Sequence, residues 1–141
     1  MATPDFNGTW YNQLHSEMQL RVSPDGQVLG RYRTGVGSPT PEEWFPLAGF
    51  SVEDVIVFTV SFARYGSLTA WAGQVAGDPP DERLQTLWHL ARNVPDPEEP
   101  KQLWAGILAG ADRFTRLPQP PAVATRQIAS HPVSVRPGRD G

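Results

Sequence analysis

The sequence has no cysteine. That excludes a disulfide scaffold, a thiolate-held metal centre and a thiol nucleophile. It also has no excess of basic charge: 12 Lys and Arg stand against 15 Asp and Glu, a formal net charge of −3. Binding nucleic acid by phosphate neutralisation needs a basic face, so no nucleic-acid partner is expected. No apolar run approaches the ~20 residues of a membrane-spanning helix, so no membrane partner is expected. Histidine is scarce: there are 3, His15, His89 and His131. They show no metal-ligand spacing and no Ser/His/Asp arrangement. Gly35-x-Gly37 is not followed by a helix and does not read as a phosphate loop. No catalysis, metal site or cofactor is therefore expected.

Proline and tryptophan are abundant, at 15 and 5 in 141 residues. Length alone points to one domain, and so much proline argues against a helical protein. Five prolines fall after Leu117, in a segment with no aromatic residue and with Arg126, Arg136 and Arg139 against Asp140. Residues 1–117 are expected to form the folded body. The Pro-rich tail 118–141 buries too little apolar area to offset its ordering entropy, and is expected to be flexible or loosely docked on this body or on a neighbour.

Within the body the prolines mark turns. Ser23-Pro24-Asp25-Gly26 has a type I turn signature, and Pro39, Pro41, Pro79-Pro80 and Pro95–Pro100 lie between periodic segments. Only Pro46 falls inside a strand-like run, where it costs a ladder hydrogen bond unless it sits at an edge or bulge. The segments between show period-2 alternation with many aromatic and β-branched residues. They predict eight strands over 8–14, 17–23, 27–34, 43–50, 54–63, 67–75, 83–92 and 103–116. The segment 82–92 also has some helical propensity. Short connections imply an all-β, eight-stranded antiparallel up-and-down β-barrel, a closure that removes sheet edges and leaves room for one small ligand.

Period 2 also sorts the faces. Trp10, Asn12 and Leu14 share one side, as do Gly30, Tyr32 and Thr34. Phe58, Val60 and Phe62 align on the fifth strand, and Ser67, Thr69, Trp71 and Gly73 on the sixth. Thr86, Trp88 and Leu90 align on the seventh, and Leu108, Gly110, Asp112 and Phe114 on the eighth. Large aromatics and polar groups thus share one interior. Periodicity leaves two readings open: a core with a few satisfied polar groups, or a pocket with aromatic walls and a ring of hydrogen-bonding groups.

Several segments resemble the avidin family. Gly8-Thr9-Trp10-Tyr11-Asn12-Gln13-Leu14 is similar to the first strand of streptavidin. Gly30-Arg31-Tyr32-Arg33-Thr34 with Val36-Gly37 looks like the third strand and its loop. Thr69-Ala70-Trp71-Ala72-Gly73-Gln74 matches a Thr-x-Trp-x-Gly-Gln pattern. Leu87-Trp88-His89-Leu90 with Trp104, and Gly110 to Arg116, fit the seventh and closing strands. The pieces run in order over residues 6–117.

The resemblance implies non-catalytic, high-affinity binding of biotin as a ligand rather than a cofactor. It implies that Asn12, Ser16 and Tyr32 donate to the ureido oxygen, and that Asp112 and Thr34 accept from the two ureido N–H groups. Asn12 and Gln13 are candidates for holding Asp112. Thr69 would face the ring sulfur, and Ser67 with Gly37 and Ser38 would hold the carboxylate. Trp71, Trp88, Phe62, Leu14, Val36 and Leu90 would form walls. Trp104 would be donated to a neighbouring subunit, which favours a homotetramer over a dimer. The expected location is secreted or periplasmic. No signal peptide is visible in Met1-Ala2-Thr3-Pro4-Asp5.

The chain departs from streptavidin at Phe62, where streptavidin has Trp, and at Ser38, where it has Asn. It lacks avidin's cysteine pair, and its loop 35–43 is slightly long and holds two prolines. Two alternative functions stand beside the main one. The first is a barrel carrier of another small ligand, for which the polar ring would be badly matched if that ligand were fatty. The second is a barrel whose site holds its own C-terminal tail.

Overall fold

A computed structural model describes residues 4–35, 42–120 and 133–134. The strands are β1 (Gly8–Asn12), β2 (Glu17–Val22), β3 (Gln27–Arg33), β4 (Phe45–Val52), β5 (Val55–Phe62), β6 (Ser67–Ala76), β7 (Arg83–Arg92), β8 (Ile107–Thr115) and a two-residue β9 (Val133–Ser134). Each of β1 to β8 pairs antiparallel with the next, and β1 also pairs with β8 through Tyr11↔Thr115 and Asn12↔Phe114. The eight strands therefore close into an up-and-down barrel. The segment with mixed propensity, 83–92, is β7, because its alternating Leu84, Thr86 and Trp88 fill the interior.

The turns follow local chemistry. Gly26 N donates to Ser23 O at 2.9 Å, closing the Ser23–Gly26 turn, with Gly26 at φ +89° where a side chain would be strained. Pro46 lies in β4 opposite Arg31 of β3, but the ladder to β5 begins only at Leu47. It therefore occupies the stretch where the β5 side of β4 is an open edge, which is where proline is tolerated.

Five strands are shorter than the periodicity predicts, β2, β3 and β5 by a single residue at one or both ends and β1 and β8 by more, while β4 is displaced by two residues to Phe45–Val52. β1 stops at Asn12 because the Asn12 carboxamide oxygen accepts the backbone N–H groups of Leu14 (3.0 Å) and Ser16 (2.9 Å). This side chain competes with the ladder, so the chain turns, with His15 at φ 67°. β8 begins at Ile107 rather than 103, since the proline-rich segment before it folds into 3-10 turns at Asp96–Glu98 and Leu103–Gly106 around the one-turn helix α1 (Glu99–Gln102). Val133 and Ser134 of the tail pair with Ala109 and Leu108 of β8, beyond the point where β1 has ended.

The core fills the barrel interior. Trp10, Met18, Val28, Ile56, Phe58, Val60, Leu84 and Phe114 are fully buried. Trp10 forms the floor: its Nε1 donates to Phe6 O at 3.0 Å, and the Arg116 guanidinium lies 3.7 Å from its ring centroid. Trp44, at the start of β4, has a surface role. The guanidinium groups of Arg31 and Arg33 lie 4.0 Å and 5.0 Å from its ring. Gln19 and Glu17 of β2 hold those arginines from the far side.

Candidate functional site

At the end of the barrel that carries the β1–β2, β5–β6 and β7–β8 connections, the inward positions change from apolar to polar. Asn12, Ser16, Thr69, Thr86 and Asp112 are buried there beside Tyr32, Trp71 and Trp88. The inward face assigned from period 2 is the buried face on every strand of this set.

Asp112 is the centre of the arrangement. It lies on β8 opposite Thr86 and is 6 % exposed. Trp71 Nε1 donates to one carboxylate oxygen (2.9 Å) and Gln13 Nε2 to the other (2.7 Å). Gln13 is fixed in turn, since its Oε1 accepts the Arg113 backbone N–H at 2.9 Å. Burial pushes the Asp112 carboxyl above its ordinary value, and hydrogen bonds from Trp71, Gln13, Asn12 and Trp88 oppose that rise. Among the described residues no arginine pairs with Asp112: Arg116 binds Glu82 at the barrel floor instead. The carboxylate is thus a desolvated acceptor surrounded by neutral N–H donors.

Next to it stands a cluster of three. Asn12 is 1 % exposed, and its carboxamide oxygen is occupied by the turn it caps, which directs its NH₂ into the barrel. Ser16 Oγ accepts the Gly35 backbone N–H at 3.0 Å, so its hydroxyl proton is left to point inward. The Tyr32 hydroxyl engages both Ser16 and Asn12. Burial and the nearby Asp112 charge push the Tyr32 phenol well above its ordinary value, so it remains a protonated donor. Three neutral donors therefore converge beside one carboxylate acceptor. Such a pair of poles suits a small polar group with an acceptor at one edge and N–H donors at the other.

The walls are aromatic. Trp71 packs against Phe58 with centroids 5.1 Å apart and planes 14° from parallel, and against Tyr32 at 5.1 Å. Phe62 meets Tyr32 edge-on at 6.1 Å and Phe45 at 4.7 Å. Trp88 lies directly across from Trp71. Gly73 allows β6 and β7 to approach beneath this pair: a Cβ there would sit 2.2 Å from Gln85 O.

The expected residues distribute as follows. Asn12, Ser16, Tyr32, Phe62, Thr69, Trp71, Trp88 and Asp112 are buried in one interior, with Leu90 half-buried above them. Ser67 is half-buried at the start of β6, and Leu14 and Thr34 are half-buried just past the ends of β1 and β3. Trp104 is 47 % exposed on the β7–β8 connection and lies outside its own barrel's core. Val36, Gly37 and Ser38 lie outside the described residues.

Arg92 closes β7 two residues beyond Leu90 and is exposed. Strand parity continued two residues further would have placed it on the inward face, directly opposite Ser67.

The family model for the avidin family matches residues 1–117. Among solved structures the chain is similar to one described as the crystal structure of Xenavidin. That match has a TM-score of 0.71 and 31% sequence identity, and covers 82% of this chain and 100% of that one. The matched region ends where the Pro-rich tail begins.

Proposed function

The chain belongs to the avidin family of non-catalytic biotin binders, and we propose that it binds biotin with high affinity, one molecule per chain, at the polar end of its barrel. The observation that carries this reading is the buried Asp112 carboxylate, held by Trp71 and Gln13 beside the Asn12–Ser16–Tyr32 donor cluster. A cyclic urea has one acceptor oxygen and two N–H donors. The donor cluster takes the oxygen, and Asp112 takes one N–H. A carboxylate behind that N–H favours charge on the ureido oxygen, and charge-assisted hydrogen bonds in a dry site are roughly twice as strong as neutral ones. Thr34 is assigned the second N–H, Thr69 the ring sulfur, and Ser67 with Gly37 and Ser38 the carboxylate. Trp71, Trp88, Phe62, Leu14, Val36 and Leu90 are assigned the walls. The closed strand ladder fixes the positions of the inward side chains, so little ordering cost is left for binding.

Self-association belongs to the same reading, and the family is generally oligomeric. Phe50 (69 % exposed), Val57 and Leu87 (65 % exposed) stand on the outer face of β4, β5 and β7. The register links them through Ala72 in one row, Phe50↔Val57↔Ala72↔Leu87. A contiguous exposed apolar row on a barrel wall suits burial against a second copy. Trp104 is assigned to the neighbouring subunit's site within a homotetramer, and secretion is the location that family membership favours.

Biotin titrated into ligand-free protein at micromolar concentration, followed by tryptophan fluorescence and calorimetry, tests the proposal. The expected result is saturation at one biotin per chain with a large fluorescence change from Trp71 and Trp88. Absence of any saturable signal would overturn it. The pairing of Val133 and Ser134 with β8 brings the tail to the rim and favours one second reading, in which the tail competes for the site. A chain ending at Leu117 would then bind biotin more tightly than the full chain.

A further inference from the structure

We propose that Arg92 is a specificity-determining residue of this chain: it recognises a ligand carboxylate at the barrel mouth and biases the site toward the free acid over its neutral amides. The inference rests on the biotin reading above and adds to it a preference between ligand forms.

Thr86, Trp88, Leu90 and Arg92 occupy alternate positions on β7, so Arg92 continues the face that lines the interior. Its cross-strand partner on β6 is Ser67, as Leu90 is partnered by Thr69 and Trp88 by Trp71. Directly opposed residues of an antiparallel pair hold their Cβ atoms ~4.5–5.5 Å apart. The side chains of half-buried Ser67 and exposed Arg92 therefore start from neighbouring positions where the lined face meets solvent.

The charge at this place is uncompensated. Of the described arginines at this end, Arg33 closes β3 and pairs with Glu17, Arg64 lies on the β5–β6 connection, and Arg92 closes β7. Arg64 is neutralised by Glu43, with Nη1 to Oε2 at 2.7 Å, and Glu43 is further held by the Tyr65 hydroxyl. Arg92 forms no ion pair with any described residue; its one hydrogen bond runs from Nη2 to the Ala105 carbonyl at 3.2 Å. That contact ties the guanidinium to the Leu103–Gly106 turn packed beside the end of β7 and leaves its other N–H groups unengaged among the described residues. A guanidinium carries five donors in a planar fork that fits a carboxylate in bidentate fashion.

The ligand supplies the complement. With its ureido group held at Asp112 and Asn12, biotin's pentanoate chain extends along Thr69 and Leu90 toward Ser67, and its terminal charge emerges beside Arg92, which stands opposite Ser67. An amide in that place keeps the hydrogen bond to Ser67 and loses the charge term.

The test compares biotin with biotinamide on the full chain and on Arg92→Ala and Arg92→Lys, measuring dissociation rates by displacement at two salt concentrations. Because the pair is partly solvated, the expected loss is about five- to ten-fold for biotin in Arg92→Ala, with biotinamide changed less than about two-fold. Arg92→Lys restores part of the difference, and high salt narrows it in the parent but not in Arg92→Ala. Arg92→Ala weakening both ligands equally, or neither, overturns the inference and leaves biotin binding intact. If the parent binds neither ligand, the biotin reading fails and this inference fails with it.

Discussion

At the closed end of the barrel the interior is filled by Trp10, Val28, Ile56, Leu84 and Phe114, while at the mouth the same strands turn Asn12, Tyr32, Thr69, Trp88 and Asp112 inward. The backbone is equally regular in both halves. What differs is how each half meets its hydrogen-bonding and packing demands. At the floor Trp10 Nε1 donates to Phe6 O, and Glu82 pairs with Arg116 through one carboxylate oxygen while its other, Oε1, is buried without a partner among the described residues. The mouth keeps a carboxylate whose burial raises its pKa, with neutral donors around it that oppose the rise. On the proposed function, stability is concentrated at one end and binding at the other.

The largest effect that can break this division comes from the floor. Leu84 is fully buried opposite Phe114. Leu84→Ala should cost about 2–5 kcal/mol of stability in chemical denaturation. Biotin affinity, measured where the variant is still folded, should change less than about three-fold. A large affinity loss would show that the two halves are mechanically coupled.

Asp112→Asn is the reciprocal test. It keeps the shape of the side chain, removes the charge and should weaken biotin binding about 100-fold, read from the dissociation rate. The unliganded barrel should behave in the opposite way. A carboxyl whose folded pKa lies above its unfolded value binds protons more readily in the folded state. It therefore favours folding at acid pH and withdraws that contribution as pH rises through the folded pKa. Unliganded Asp112→Asn should accordingly be no less stable than the parent at neutral pH, with a flatter stability profile just above the ordinary carboxylate range, where Asp112 is shifted. Biotin affinity in the parent should fall as acidification protonates Asp112. An affinity independent of pH would remove the carboxylate from the site.

The legibility of the two halves differed as well. Alternation identified the inward residues at both ends, because a one-residue slip would have turned Trp10, Phe58 and Phe114 out to water. Strand ends were less legible. Asn12 reads as a strand residue by period, yet its carboxamide ends β1 by capping the next turn, a competition visible only once the backbone is folded. Leu103 to Gly106 carry strand-like residues but close a 3-10 turn after Pro95–Pro100. Motif matching reached the ligand pocket through Trp71, Trp88 and Asp112 and passed over Arg92, because an arginine at a strand end is ordinary unless its cross-strand neighbour is known.

A smaller effect concerns Trp104, which contributes little to its own barrel at 47 % exposure. Trp104→Ala should leave monomer secondary structure unchanged, lower biotin affinity about ten-fold and reduce subunit number in light scattering. Unchanged affinity and subunit number together would confine the site to one chain.

The smallest expected effect tests whether the outer face of the mouth belongs to the binding half at all. Trp44 lies under Arg31 and Arg33, whose other contacts run to Gln19 and Glu17 on β2. These groups are partly solvated, so each cation–π contact is worth roughly 0.5–1 kcal/mol. Trp44→Ala should therefore lower stability by about 1 kcal/mol and leave biotin dissociation within two-fold of the parent. Glu43, the preceding residue, ties the same strand end to Arg64 and Tyr65 of the β5–β6 connection. If the Trp44 stack matters only for β4, Glu43→Gln and Trp44→Ala should add in the double variant. A biotin dissociation rate that rises more than additively would mean that the two contacts jointly hold the chain leading into the pocket, and the border between the binding half and the structural half would move outward to include them.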